Sequence, residues 1–315
     1  MAEFSLKQKP HIQQVDYIRA IASLAVALFH LGGKTLPILN FGWLGVYLFF
    51  LLSGFIICKA MPAVYTWKMS ARFIIRRLIR IEPPYLISVM LAVIIKFLMV
   101  VNYKPDWVNV ACHIAYLNNF TGKPYLSPVY WTLGIEFQFY IFVALCFPLI
   151  AGKAGNWFLL VLSIAAVFIR VQGSTLIGVF PVFALGMLYY RHIVKRQSII
   201  YTLFFGFFIG VCTIYNAGWL PGSAAFFALI ILILPLKPNP LVAFFSQISF
   251  SLYLTHDIIG SNLVVYLGTL LPKTFLFKGI EFITGIFVSV IFAWCFYRYV
   301  ETPFLRLSKQ VHYSN

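Results

Sequence analysis

The sequence predicts an all-α polytopic membrane protein, with about ten transmembrane helices around a central cavity in a single domain over residues 1–315. Three observations predict it. Of the 315 residues, 62% are hydrophobic and only 10% are charged, whereas a soluble domain carries about 25% charged residues. Apolar runs close to the length of a bilayer span recur along the whole chain. Lysine and arginine are distributed unevenly between alternate connections.

The runs lie at about 14–33, 42–60, 83–101, 129–150, 157–171, 175–190, 199–215, 218–236, 247–267 and 279–300. Those between 157 and 190 are the shortest. With the N-terminus placed inside, sixteen lysines and arginines fall on the inner side, Lys7, Lys9, Lys59 and Lys68 among them. Six fall outside: Lys34, Lys104, Lys123, Arg170, Lys273 and Lys278. That bias sets both termini in the cytoplasm and requires an even number of spans. The net charge of +16 therefore reads as membrane topology, with lipid headgroups as partners. No basic stretch interleaved with aromatics suggests a nucleic-acid partner. The first run is expected to stay in place rather than be cleaved, because Asp16 and Arg19 interrupt it and no small-residue cleavage site follows. The longest connection, 102–128, is expected outside as an interfacial element carrying Trp107, His113, Tyr116 and Tyr125. No internal repeat is visible.

The first span holds Asp16, Arg19 and His30 in an otherwise apolar stretch. A charged group at mid-membrane costs roughly 2.5–3.5 kcal/mol, so such groups mark a cavity or a partner. Eleven helical residues rise about 16 Å and complete about three turns, so Arg19 and His30 share one stripe. In the second span, Gly45 and Gly54 permit close backbone approach and Ser53 can hydrogen-bond across it. The segment before the third span repeats arginine at Arg72, Arg76 and Arg80, a guanidinium row suited either to phosphates or to lipid headgroups. Pro83 and Pro84 are expected to break the basic helix from the span.

The fourth span places Glu136 in its outer half, where it is expected to orient His30 or, alternatively, to pair with another buried donor for packing. In the ninth span, Ser249, Ser251, Tyr253, Thr255, His256 and Asp257 form a polar patch, either a second part of a site or an interhelical network. Glu301 is expected to pair with a nearby arginine. His11, His113, His192 and His312 are assigned to loops or termini without catalytic roles. The five cysteines contain no Cys-x-x-Cys and read as small buried hydrophobes. No metal is expected, since His256-Asp257 alone sets a histidine beside a carboxylate. Phosphate-loop, dinucleotide-fold, zincin and nucleophile-elbow motifs are all absent.

Taken in order, these segments resemble the acyltransferase 3 family of bacterial integral membrane acyltransferases. The matching motifs are Arg19-x10-His30, Gly45-x3-Phe49-Phe50-x2-Ser53-Gly54-Phe55, Arg77-x2-Arg80-Ile-x-Pro83-x-Tyr85, Trp131-Thr-Leu-x2-Glu136 through Tyr140, the serines leading to Tyr253 and His256, and Glu301-x-Pro303. The resemblance implies transfer of an acyl group, commonly acetyl, from acyl-CoA to a hydroxyl of a surface or exported glycan or its lipid-linked oligosaccharide precursor. It also implies a bacterial inner-membrane location. Acetyl-CoA would be a donor substrate, with no permanently bound cofactor. The chain stops soon after its tenth run, so the esterase-like domain fused to some members is expected to be missing. On residues and resemblance together, the candidate catalytic groups are His30, Glu136 and Arg19. The candidate donor-binding groups are Arg76, Arg77, Arg80, Tyr85 and Ser53. The rival reading is a transporter or flippase for a lipid-linked sugar, and the lack of an internal repeat counts against it.

Overall fold

The computed structural model describes residues 11–62, 64–169 and 175–312; Lys7, Lys9 and Arg170 of the charge comparison lie outside them. Among the described residues the structure is all-helical, with 82% of them in helix and no strand. The helices are α1 (Gln13–His30), α2 (Gly45–Ala60), α3 (Ser70–Met99), α4 (Trp107–Ile114), α5 (Asn118–Thr121), α6 (Trp131–Ala151), α7 (Gly155–Ile169), α8 (Leu176–Val194), α9 (Ile199–Ala217), α10 (Trp219–Ile233), α11 (Pro240–Thr255), α12 (Asn262–Leu270), α13 (Phe275–Phe296) and α14 (Thr302–Lys309). Two π-helical segments, His256–Ser261 and Tyr297–Glu301, join α11 to α12 and α13 to α14. Six helical stretches are long and apolar enough to cross a membrane, by length and composition, and α7 and α10 are shorter apolar helices. This is a membrane protein with a helix over each expected span; the count of ten crossings stays an expectation.

α2 forms the centre, packed against α1, α6, α8 and α10. Its glycines explain how. A Cβ on Gly45 would press on Ala22 O of α1, and one on Gly54 would overlap Phe183 O of α8. Facing Gly54, Gly186 of α8 lies against Leu51 O. With no hydrophobic effect between helices in lipid, such close packing is what holds them.

Pro83 and Pro84 do not break the chain as expected. Both sit inside one continuous helix, α3, of 30 residues, about 45 Å long. Proline costs hydrogen bonds in any helix, but neighbouring helices hold such turns in membrane proteins. Here Phe73, Arg77, Pro84, Tyr85 and Ser88 give α3 a buried face that runs straight through the prolines.

The 102–128 connection contains α4 and α5 and is cross-braced rather than loose. Asp106 caps α4 by accepting from Asn109 N at 3.1 Å and pairs with Lys123 at 2.7 Å. Asn118 donates to Asn109 Oδ1 at 2.8 Å, and Asn109 Nδ2 donates to Pro124 O at 2.9 Å. His113, expected in a loop, is instead fully buried in α4. Its Nδ1 lies 2.8 Å from Asn109 O, and its Nε2 accepts from Leu126 N at 3.1 Å. A neutral ring with the proton on Nδ1 satisfies both contacts. Burial holds the His113 imidazole below its ordinary range. A base depressed in the fold contributes stability above its unfolded value of about 6.5 and loses it as pH falls further. The melting temperature in detergent should therefore drop between about pH 7 and pH 5, and His113→Gln should flatten that slope. Parallel slopes for the two proteins would remove His113 as the cause.

α1 and α11 run side by side in the same direction. Asp16 accepts from Ser246 at 2.7 Å and Arg19 Nε donates to Ser249 at 3.0 Å, both 230 residues apart. Beyond His256, Ser261 donates to His30 O at 3.4 Å, 231 residues apart. The offset grows by one across the π segment, as expected of a π-bulge that carries one extra residue.

Candidate active site

Five helices, α1, α2, α3, α6 and α11, surround a cavity that opens to the surface. Arg19, Arg77 and Arg80 enter it with Ser53, Thr132, Glu136, Tyr140, Ser249 and Tyr253. The remaining wall is apolar, built from Phe49, Phe50, Leu52, Ile56, Ile57, Phe250 and their neighbours. Three guanidinium groups and one carboxylate in so apolar a wall make it strongly attractive to an anion.

The positions of these groups follow from helix geometry. Arg77 and Arg80, three apart, share the face of α3 that looks into the bundle. The expected row of Arg72, Arg76 and Arg80 is not what the cavity uses. Arg76 neighbours Arg77 in sequence and so points about 100° away around the helix; it is absent from the cavity wall. Tyr85 is also outside it. Its ring is fully buried, stacked on Tyr116 at 5.2 Å and edge-on to Tyr130 at 5.1 Å. That places it in the packing under the outer connection.

Glu136 does line the cavity, but it does not hold His30. Its Oε1 accepts from Tyr140 at 2.5 Å and from Ser53 at 3.2 Å, so the packing alternative describes its contacts. Those donors sit one turn along α6 and across on α2, nearer than any group at the end of α1. Among the described residues, Glu301 likewise meets no arginine by hydrogen bond. It accepts from Ser251 at 2.6 Å, because the second π segment turns its side chain towards α11.

His30 stands apart from the cavity wall. It is the last residue of α1 and is partly exposed. Its Nδ1 lies 3.1 Å from Val26 O and 3.1 Å from His256 Nε2. His256 is fully buried, with Nδ1 2.8 Å from Leu252 O. Tyr253 connects the two regions: it lines the cavity, and its ring centre is 6.3 Å from that of His256. The Tyr253 hydroxyl is anchored by Val129 O at 3.2 Å and Thr132 Oγ1 at 2.7 Å. Asp257, next in the chain, accepts from Ser127 at 2.7 Å. In the sequence alone, nothing links the Ser249–Asp257 patch to His30. The signal available was a second histidine at the outer end of another apolar run.

The acyltransferase domain that defines the acyltransferase 3 family matches residues 12–298. The chain belongs to that family. Among curated acyltransferases, a protein of Acidianus two-tailed virus provisionally named an acetyltransferase is 32% identical over 44% of this chain and 42% of its own length. A Staphylococcus aureus strain COL protein provisionally named an O-acetyltransferase is 27% identical over 95% of this chain and 58% of its own. The O-acetyltransferase OatA of Staphylococcus aureus is 30% identical over 44% of this chain and 24% of its own. The chain thus spans about half or less of the length of these acyltransferase relatives. No solved structure matches it. The family's match begins at the start of α1 and ends at Arg298, so it takes in both the arginine cavity and the histidine pair.

Proposed function

We propose that this chain is a membrane O-acyltransferase of the bacterial inner membrane that moves an acyl group, acetyl first among them, from acyl-CoA to a glycan hydroxyl. The observation that carries the reading is the arginine cavity lying within about 16 Å of helix rise of a partly exposed histidine on the same helix. Arg19, Arg77 and Arg80 suit the phosphates of the donor, which planar guanidinium groups bind in bidentate fashion. The flexible pantetheine arm then runs past Tyr253 and presents its thioester near His30. The acceptor hydroxyl gives its proton to the His30 ring, and its oxygen attacks the thioester carbonyl carbon. The C–S bond breaks, and the leaving thiolate takes that proton back from His30. In this arrangement Arg19 anchors the donor rather than the reacting carbonyl, since it belongs to the far end of the stripe. Glu136 holds Ser53 and Tyr140 in the wall and balances the guanidinium charge.

The test is incubation of purified protein with radiolabelled acetyl-CoA and a glycan fraction. Label should appear in the glycan, and Arg77→Ala or Arg80→Ala should raise the KM for acetyl-CoA by about tenfold or more while leaving the acceptor KM near its starting value. Glycan movement across vesicles with no label transferred would favour a carrier instead. Unchanged donor KM in both variants would return those arginines to topology.

A further inference from the structure

The partner of His30 is another histidine, and the hydrogen bonds around the pair decide where the protons are. Leu252 O can only accept, so His256 Nδ1, 2.8 Å away, carries a proton. A neutral His256 then has a bare lone pair on Nε2. That lone pair faces His30 Nδ1 at 3.1 Å, so His30 Nδ1 must be the donor. Val26 O, also 3.1 Å from His30 Nδ1, independently demands the same proton. Two carbonyls on two helices thus fix one tautomer for both rings. Among the described residues His30 Nε2 has no hydrogen-bond partner, and the residue as a whole is partly exposed.

We propose that His256 is a positioning residue that orients His30 as the proton acceptor, in the place a carboxylate fills in serine hydrolase triads. The proposal rests on the acyl-transfer reading above. Neither Glu136 nor Asp257 hydrogen-bonds the His30 ring among the described residues: Glu136 accepts from Ser53 and Tyr140, and Asp257 from Ser127. When His30 Nε2 takes a proton from the acceptor hydroxyl, the ring becomes a cation with both nitrogens donating. Its Nδ1–H, shared between Val26 O and the His256 lone pair at 3.1 Å each, then makes a charge-assisted hydrogen bond to that lone pair. A second proton on the pair would set two N–H groups against each other across 3.1 Å. The pair therefore accepts one proton per turnover, and returning it to the leaving thiolate resets the site. The π segment makes this possible: the wide turn beginning at His256 lets its ring reach across to α1 while Ser261 keeps the helices in register beyond it.

Two measurements test it. In the intact protein labelled with 15N-histidine, in lipid at about pH 8 where free imidazole is neutral, a 15N–15N correlation should join His30 Nδ1 to His256 Nε2, with the proton on His30. A proton on His30 Nε2 instead, or no such correlation, overturns the assignment. In the acetyl-transfer assay, His256→Leu should lower kcat by about a hundredfold and leave the KM for acetyl-CoA within about twofold. His256→Gln keeps an acceptor oxygen and should recover at least about tenfold of that loss. Undiminished kcat in His256→Leu, or a Gln variant no better than Leu, removes the positioning role. If wild-type protein transfers no label at all, the acyl-transfer reading fails, and the nitrogen correlation alone still decides whether His256 orients His30.

Discussion

His30→Ala should abolish label transfer while the protein still inserts and purifies as a single species. General-base groups supply about 10²–10⁴ in rate, so the residual activity should be at or below the background of vesicles without the protein. The structural cost of the change should be modest. His30 is partly exposed and terminates its helix, and the group deprived of a partner is one buried lone pair on His256, worth about 1–3 kcal/mol. His30→Gln refines the test, because its amide N–H can still donate to His256 while offering no base. Activity near wild type in either variant would take His30 out of the reaction. Loss of folded protein in both would assign it to packing, and the Gln variant is the one designed to keep the fold.

The second large effect is expected far from any charge. Gly186→Val should prevent recovery of folded protein or sharply lower its melting temperature. A Cβ there would overlap Leu51 O and lie within 2.9 Å of Phe55 N, both backbone atoms of α2. Backbone in the middle of a helix cannot step aside, so α2 and α8 must separate. Separation loosens the Phe50–Phe183 stack at 4.9 Å and the Phe139–Phe183 stack at 4.2 Å. It also shifts Ser53, next to the contact glycine Gly54, off Glu136. Overpacking in cores costs about 1–3 kcal/mol and sometimes more, and a clash with backbone belongs at the upper end. Gly206→Ala is the control, since its Cβ would meet only a leucine methyl at 3.6 Å. If Gly186→Val melts with Gly206→Ala, the α2–α8 crossing is not what holds the bundle.

The helices over the expected spans, the glycine crossings of α2 and the charged stripe of α1 were all legible in the sequence. Each depends on local pattern: apolar length, small residues, and ionisable groups stranded in hydrocarbon. What escaped depends on contacts between distant segments. The two prolines of α3 looked like a break because the buried face that carries the helix through them is made by other helices. Arg77 rather than Arg76 enters the cavity because the orientation of α3 is set by Phe73 and Tyr85, not by the arginine spacing. Depth alone matches Glu136 to His30, and depth does not say which way a side chain turns. The π segments have no sequence signature, yet they place both His256 and Glu301.

The seam between α1 and α11 has a consequence for how the protein is made. α1 leaves the ribosome well ahead of α11, with Asp16, Arg19 and His30 exposed to whatever surrounds a nascent helix. Ser246, Ser249 and His256, which later satisfy them, are encoded about 230 residues on. At roughly 5–20 residues per second of synthesis, α1 waits about ten to fifty seconds for its mate. Until then its ionisable groups need shelter at the insertion machinery, and the chemical centre cannot close before α11 is in place.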